Sequence, residues 1–298
     1  MKDQSTISRL FAEGVRFGSA RRLRLPRDSM RGATGGRLGV SAGSSLDFHD
    51  YRDYHPGDDL RHLDWGVYAR SDKEIVKLYR EEVEPKLDIV LDTSASMDLA
   101  DTRKGDAALT LAAALGAAAL GSACTPSLWL AGKLLEPSPS PRGASPEEWH
   151  VDGFGEASSP YDALIGAAPP FRRNGIRVFI SDLLWPGEPA KALARLADGA
   201  SALFIIQLLA KSEEEPPEHG RYRLDDVETG ETLDVFLDGP ALATYRATLA
   251  AHRERWSRAC VAVGAVFTSI TDGDVVSDTR LEALERAGLL EAALPGRS

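Results

Sequence analysis

Between Asp106 and Lys133 the chain carries no charged residue, and that stretch constrains the fold more than any other. A run of this length reads either as a membrane span or as a helix buried inside a soluble protein. It is dominated by alanine, includes Gly116, Gly121 and Ser122, and is broken by Pro126. A helix over 104–122, followed by a turn and a strand around 127–130, accounts for these features better than a span does.

The same alternation recurs downstream. Short apolar runs at 87–91, 176–180, 202–209 and 264–270 read as strands, the third being the most hydrophobic in the chain. Helices are predicted over 161–168, over 189–198 with a proline at the start, over 243–263 and over 278–290. The helix at 243–263 places Tyr245, Leu249, Trp256 and Cys260 on one stripe. Residues 220–237 alternate around 228–231 and predict a hairpin. Residues 133–160 are rich in proline, serine and glycine and read as a long surface loop. Strands alternating with helices from Lys86 onward imply an α/β fold, a mostly parallel sheet with helices on both faces. Residues 1–40 read as irregular, with a short helical stretch near 7–17, and Pro56-Gly57 marks a turn in an aromatic and charged segment.

Charge distribution limits the partners. The net charge is −10, yet residues 1–40 hold Lys2 and eight arginines against Asp3, Glu13 and Asp28, so the other 258 residues carry −16. The body is too acidic to be a nucleic-acid platform, and the basic arm either folds against it or meets an acidic partner. Cys124 and Cys260 form no C-x-x-C pair, and the first residues lack the apolar stretch of a signal peptide, so a cytoplasmic location is expected. The six histidines have no zinc-site spacing, and no phosphate-cradling glycine loop precedes a lysine.

The chemistry concentrates in Asp92-Thr93-Ser94-Ala95-Ser96, directly after an apolar strand, where an open parallel sheet places its ligands. Asp92, Ser94 and Ser96 alternate, so an extended loop can turn one carboxylate and two hydroxyls the same way. Such an oxygen set suits a hard cation, Mg²⁺ or else Mn²⁺ or Ca²⁺. Alone, this pattern is common in turns and helix caps. A second carboxylate, Asp182, ends the strand at 176–180, and two strand-terminal aspartates favour the metal reading.

The motif resembles the metal-ion-dependent adhesion site of von Willebrand factor A domains. That resemblance implies a later aspartate, matched by Asp182, and a threonine, for which Ser158 or Ser159 stands in. A second resemblance is to the bacterial family catalogued as domain of unknown function 58. It rests on Arg52, Tyr54, Pro56-Gly57-Asp58-Asp59, Arg61 and Asp64-Trp65, with the hairpin and the Tyr245–Trp256 helix, over roughly residues 40–290. It implies a von Willebrand A-like domain at 86–298, with the hairpin as an insertion, behind a signature segment at 1–85. Where the family often has an acidic run after its most hydrophobic strand, this chain reads Ala210-Lys211-Ser212-Glu213. The implied function is a non-enzymatic, metal-dependent protein-binding module working with a MoxR-type AAA+ ATPase in chaperone-like maturation. The rival readings are a Mg-dependent phosphohydrolase, disfavoured because no Lys or Arg motif stands beside Asp92 or Asp182, and a scaffold with no metal. Arg52, Asp58, Asp59, Arg61, Asp64 and Trp65 form either an internal ion-pair network fastening the segment to the sheet, with Trp65 packed, or a partner-binding surface.

Overall fold

A computed structural model describes residues 2–25, 46–81, 85–141, 143–155, 159–166, 171–217, 220–227, 229–277 and 281–293. The chain divides into two units, Met1–Pro26 with Pro85–Ser298, and Arg27–Glu84. The N-terminal helix α1 (Gln4–Gly18) starts where the Asp3 carboxylate accepts the Thr6 N–H, and strand β1 (Arg21–Leu23) follows it. In the smaller unit, β2 (Leu46–Asp53) and β3 (Ile75–Glu81) pair antiparallel, with α2 (Trp65–Ser71) between them in sequence.

The larger unit then alternates as its apolar runs predict. Its first half contains β4 (Lys86–Asp92), α3 (Lys104–Leu120), β5 (Thr125–Ala131), β6 (Leu135–Pro137), α4 (Pro160–Gly166) and β7 (Ile176–Ser181). It continues with α5 (Pro189–Ala197), β8 (Ala202–Leu209) and the one-turn α6 (Lys211–Glu214). A hairpin of β9 (Gly220–Asp225) and β10 (Thr232–Leu237) leads into the long α7 (Gly239–Val263). The chain closes with β11 (Val266–Thr271), α8 (Asp272–Ser277), α9 (Glu282–Arg286) and β12 (Leu290–Ala292), which pairs with β1.

Six strands form one sheet in the order β11-β8-β7-β4-β5-β6, parallel except for β6 at the edge. The central strands are apolar throughout because both faces are covered. One core joins Leu87, Ile89 and Leu91 to α1, α3 and α8, and the other joins Val90 and Phe179 to α5 and α7. The chain leaves β4 for β5 on one side and later takes up β7 on the other. The carboxyl ends of β4 and β7 therefore meet at the switch point of the sheet, where such folds open a crevice.

The uncharged segment becomes α3, and its burial explains its composition. Every residue of α3 except Asp106 and Leu120 is buried, since the sheet lies on one side and α1 on the other. The two helices touch closely. A Cβ at Gly14 would stand 2.2 Å from the Thr110 carbonyl oxygen, and one at Gly18 would stand 2.1 Å from that of Ala114. Only glycine permits this approach. Among the described residues no helix is long and apolar enough to cross a membrane.

Three expectations need correction, and one left open is resolved in part. The helical stretch expected near 7–17 extends over Gln4–Gly18, and its Ile7, Leu10 and Phe11 are core residues, so 1–26 belongs with the sheet and not with a separate 1–85 segment. Of the two outcomes open to the basic arm, Lys2 shows the first, bridging Asp98 at 2.9 Å and Asp106 at 2.7 Å on the acidic body. The 133–160 segment is no simple surface loop, since it adds β6 and buries Trp149, Val151 and Phe154. The final helix expected over 278–290 includes 278–280, which lie outside the described residues, and beyond them is the short α9 and then β12, because Gly288 turns the chain at positive φ.

Candidate metal centre

Asp92 ends β4 and Ser181 ends the neighbouring β7, and both are fully buried. The Asp92 Oδ1 accepts the Ser94 N–H at 2.9 Å, and its Oδ2 accepts the Ser181 hydroxyl at 2.6 Å. Ser181 is itself held by the Trp185 indole N–H, 3.1 Å away. The Ser94 and Ser96 hydroxyl oxygens lie 3.1 Å apart, at the entry to a tight 3-10 turn over Ala95–Asp98. Ser94 is buried and Ser96 is half-buried, so Ser96 marks where solvent reaches the group.

Asp182 follows Ser181. Its Oδ1 accepts the Leu184 N–H at 3.0 Å, and the intervening Leu183 takes a left-handed φ of 61° with its side chain fully buried. A left-handed non-glycine residue costs roughly 1–2 kcal/mol, which the surrounding packing must offset. The Asp182 Oδ2 receives an unexpected partner, the Lys104 ammonium at 3.0 Å. The same nitrogen lies 2.9 and 3.0 Å from the two oxygens of Glu213. Lys104 and Asp182 are wholly inaccessible.

The group is short of positive charge. Asp92, Asp182 and Glu213 against Lys104 leave two negative charges when all are ionised. Burial, and then the nearby Asp182, push the Asp92 carboxyl up to about 7. Burial likewise raises Glu213, against the pull of Lys104. Burial opposes the Lys104 charge, but Asp182 and Glu213 outweigh it and hold the ammonium above its ordinary value.

Neighbouring polar groups fix this arrangement. Asp272 accepts the Arg103 N–H at 3.0 Å and the Lys211 N–H at 2.9 Å, tying the start of α3 to the start of α6. Gln207 donates to the Asp182 carbonyl at 3.0 Å. Of the two serines offered for the threonine position, Ser158 lies outside the described residues. Ser159 is described, and its hydroxyl oxygen is buried without a hydrogen-bond partner. The loop before it is tied to the Asp92 turn, since the Gly155 N–H donates to the Thr93 carbonyl at 3.3 Å.

The donor set fits a hard divalent ion. Asp92 brings a carboxylate already ordered by the Ser94 N–H and the Ser181 hydroxyl, and two further hydroxyls stand together beside it, an all-oxygen set of the kind such an ion takes. Among the described residues no three His, Cys, Asp or Glu side chains converge as a metal cluster, so hydroxyls and waters would supply the remaining ligands. Lys104 and Glu213 escape a reading of motifs. The signal for Lys104 is its place at the first residue of a helix, where an ammonium opposes the dipole and needs carboxylates to hold it. Glu213 is the carboxylate following the most hydrophobic strand.

The signature residues lie in the smaller unit and build local turns. Asp58 accepts the Arg52 guanidinium at 2.6 Å and the His55 N–H at 2.9 Å, with Gly57 at φ 110° completing the turn. Asp59 caps the following 3-10 turn through the Arg61 N–H at 3.0 Å and pairs with the Arg61 side chain. Asp64 caps α2 by accepting the Gly66 and Val67 N–H groups, and lies 3.2 Å from Lys77. The guanidinium bonds hold Asp58 below the usual carboxylate range and Asp59 at about 2. These pairs close within the unit as a set of caps. Trp65 was expected to be packed, but it is 59% exposed and meets only the edge of Tyr68 among the described rings.

Residues 50–255 match the protein family described as Protein of unknown function DUF58. An uncharacterized protein of Mycobacterium tuberculosis is 31% identical over 272 residues, 86% of this chain and 84% of that protein. A shorter uncharacterized protein of Mycobacterium avium is 33% identical over 46% of this chain and 79% of its own length. Among solved structures, the conserved hypothetical protein BatB of Bacteroides thetaiotaomicron aligns with a TM-score of 0.34 and 10% identity, over 68% of this chain and 98% of that one.

Proposed function

The chain belongs to the DUF58 family of proteins of unknown function, and from that premise and the geometry of its buried carboxylates we propose that it is a metal-dependent protein-binding module. The observation that carries this reading is the placement of two buried carboxylates, Asp92 and Asp182, at the adjoining carboxyl ends of β4 and β7, with the Ser94 and Ser96 hydroxyls beside Asp92. Asp92, Ser94 and Ser96 would hold Mg²⁺, with Asp182 and Ser159 alongside. Once bound, the ion supplies charge neutralisation and a coordination position for a carboxylate from another protein. The chain's own part is orientation. Ser181 and the Ser94 N–H fix the Asp92 carboxylate, and the buried strand ends keep bulk water from it. On this reading the site works as a von Willebrand A-like adhesion site, which it resembles in its D-x-S-x-S order, and the family resemblance adds a MoxR-type AAA+ ATPase as partner, in the cytoplasm.

Lys104 removes one argument against a metal-dependent phosphohydrolase, because a cation does stand beside Asp182. That ammonium is nonetheless buried and shared between two carboxylates, so it has little left to offer a phosphate. No catalysis is assigned. The test is capture of a purified MoxR-type ATPase by the full chain in Mg²⁺ and in EDTA, with wild type and Asp92→Asn, alongside hydrolysis of p-nitrophenyl phosphate. Capture confined to wild type in Mg²⁺ is expected. Equal capture in EDTA overturns the metal requirement, and Mg²⁺-dependent phosphate release lost in Asp92→Asn overturns the binding reading in favour of the hydrolase.

A further inference from the structure

Two other surface features lack the closed set of partners that surrounds Lys104. The hairpin of β9 and β10 turns Leu224 and Leu233 outward opposite each other, but nothing in the structure says what would cover them. A cleft at the ends of β8 and β11 mixes Lys211 and Arg253 with Glu214, Glu215 and Asp274, and its Arg253 is already paired with Glu214, Gln207 and Ser269.

Lys104 carries more. We propose that Lys104 is a resident cation that competes with the divalent ion for Asp182, and so sets how weakly the candidate centre holds metal. This inference rests on the metal-site reading above. Both Asp182 oxygens are engaged, Oδ1 by the Leu184 N–H and Oδ2 by the ammonium. A metal approaching Asp92 therefore meets a second carboxylate already neutralised, with a fixed positive charge beside it. The lysine is not a chance neighbour. It occupies the first residue of α3, the end of a helix that disfavours a cation, and it is completely buried there. Glu213 holds it in place. Its two oxygens grip the ammonium, and one of them also accepts the Ala210 N–H at 2.7 Å, which anchors the carboxylate to the end of β8.

The arrangement works as a balance of charges. Removing the ammonium leaves three carboxylates to attract the ion. Removing the Glu213 charge leaves Lys104 with Asp182 as its sole carboxylate partner among the described contacts, and the centre with only one net negative charge. An elementary charge a few ångströms from a partly buried ion changes its affinity by at least about tenfold. Lys104→Met is therefore expected to bind Mg²⁺ and Mn²⁺ at least about tenfold more tightly than wild type, and Glu213→Gln at least about tenfold more weakly.

Calorimetry with Mg²⁺, electron paramagnetic resonance of free Mn²⁺, and melting in EDTA against Mg²⁺ read this out on the full-length variants. Lys104→Met is also expected to melt lower than wild type in EDTA and to recover more of that loss in Mg²⁺. Opposite shifts in the two variants support the proposal. Affinities equal to wild type in both overturn it while leaving the metal reading intact. A wild type that binds nothing beside a Lys104→Met that does bind supports the competition and ends the native metal reading. If Lys104→Met does not fold, Glu213→Gln decides, unchanged affinity overturning the proposal and weakened affinity supporting it. Metal binding absent from every folded form overturns both.

Discussion

Asp92 is a carboxylate placed where it is costly to ionise, fully buried and within reach of the Asp182 charge. Asparagine at that position keeps one acceptor for the two donors, the Ser181 hydroxyl and the Ser94 N–H, and removes a buried charge and its repulsion, which offsets the hydrogen bond it loses. In EDTA, Asp92→Asn should melt at or above wild type, while Mg²⁺ should no longer raise its melting point; a fall of several degrees in EDTA would make Asp92 a structural residue. The cysteines behave as buried thiols. Burial pushes Cys124 and Cys260 up to about 12. The reactive thiolate is then about one part in ten thousand of each at pH 8 and grows only as pH climbs toward that value. Native protein should resist Ellman's reagent at pH 8 and release two equivalents once unfolded, and rapid labelling of either thiol in the folded state would contradict this.

Elements are held by close contact in one unit and by caps in the other. At Gly14 even a methyl group would meet backbone of α3, which cannot step aside as a flexible side chain could. Gly14→Ala should cost about 1–3 kcal/mol in denaturant titration, the usual range for overpacking. Gly166→Ala, where a Cβ meets nothing within 4 Å among the described residues, should leave the midpoint unchanged or slightly raised. A Gly14→Ala midpoint matching wild type would mean the helices separate at little cost. In the smaller unit, Asp64 caps α2 and accepts from two backbone N–H groups, whereas Arg61 is 74% exposed on a local pair. Asp64→Ala should therefore melt α2 and lower stability measurably, and Arg61→Ala should lie within error of wild type. Equal losses from the two would point back to a coupled network.

At the scale of the whole molecule, the division of the chain is not linear. The first helix belongs to the sheet unit, and Ile7, Leu10 and Phe11 lie at 1%, 2% and 0% exposure against α3. Burying each such side chain is worth roughly 1.5–3 kcal/mol. Three together rival the 5–15 kcal/mol that holds a typical domain folded. A fragment spanning 85–298 without the first 26 residues should accordingly fail to give a cooperative melt, and adding 1–26 back should restore it. A cooperative transition near the wild-type temperature in the fragment alone would show that α1 is dispensable.

The strands at β4, β5, β7, β8 and β11 and the helices α3, α5 and α7 were legible because each carries its own periodicity or apolar run, and local composition reflects burial on both faces of a parallel sheet. Asp92, Ser94, Ser96 and Asp182 were legible because strand ends are where such a sheet collects ligands. Lys104 and Glu213 were not. Each is an ordinary charged residue until β4, β7, β8 and the start of α3 converge, and only that convergence turns a lysine into the counter-ion of a carboxylate 78 residues away. Trp65 was misjudged for the same reason, since apolar character says a side chain gains from burial but not whether a neighbouring surface exists to bury it. Pattern determines which face an element must hide; what lies against that face, and which charges meet there, depends on contacts distant in sequence that only the folded chain brings together.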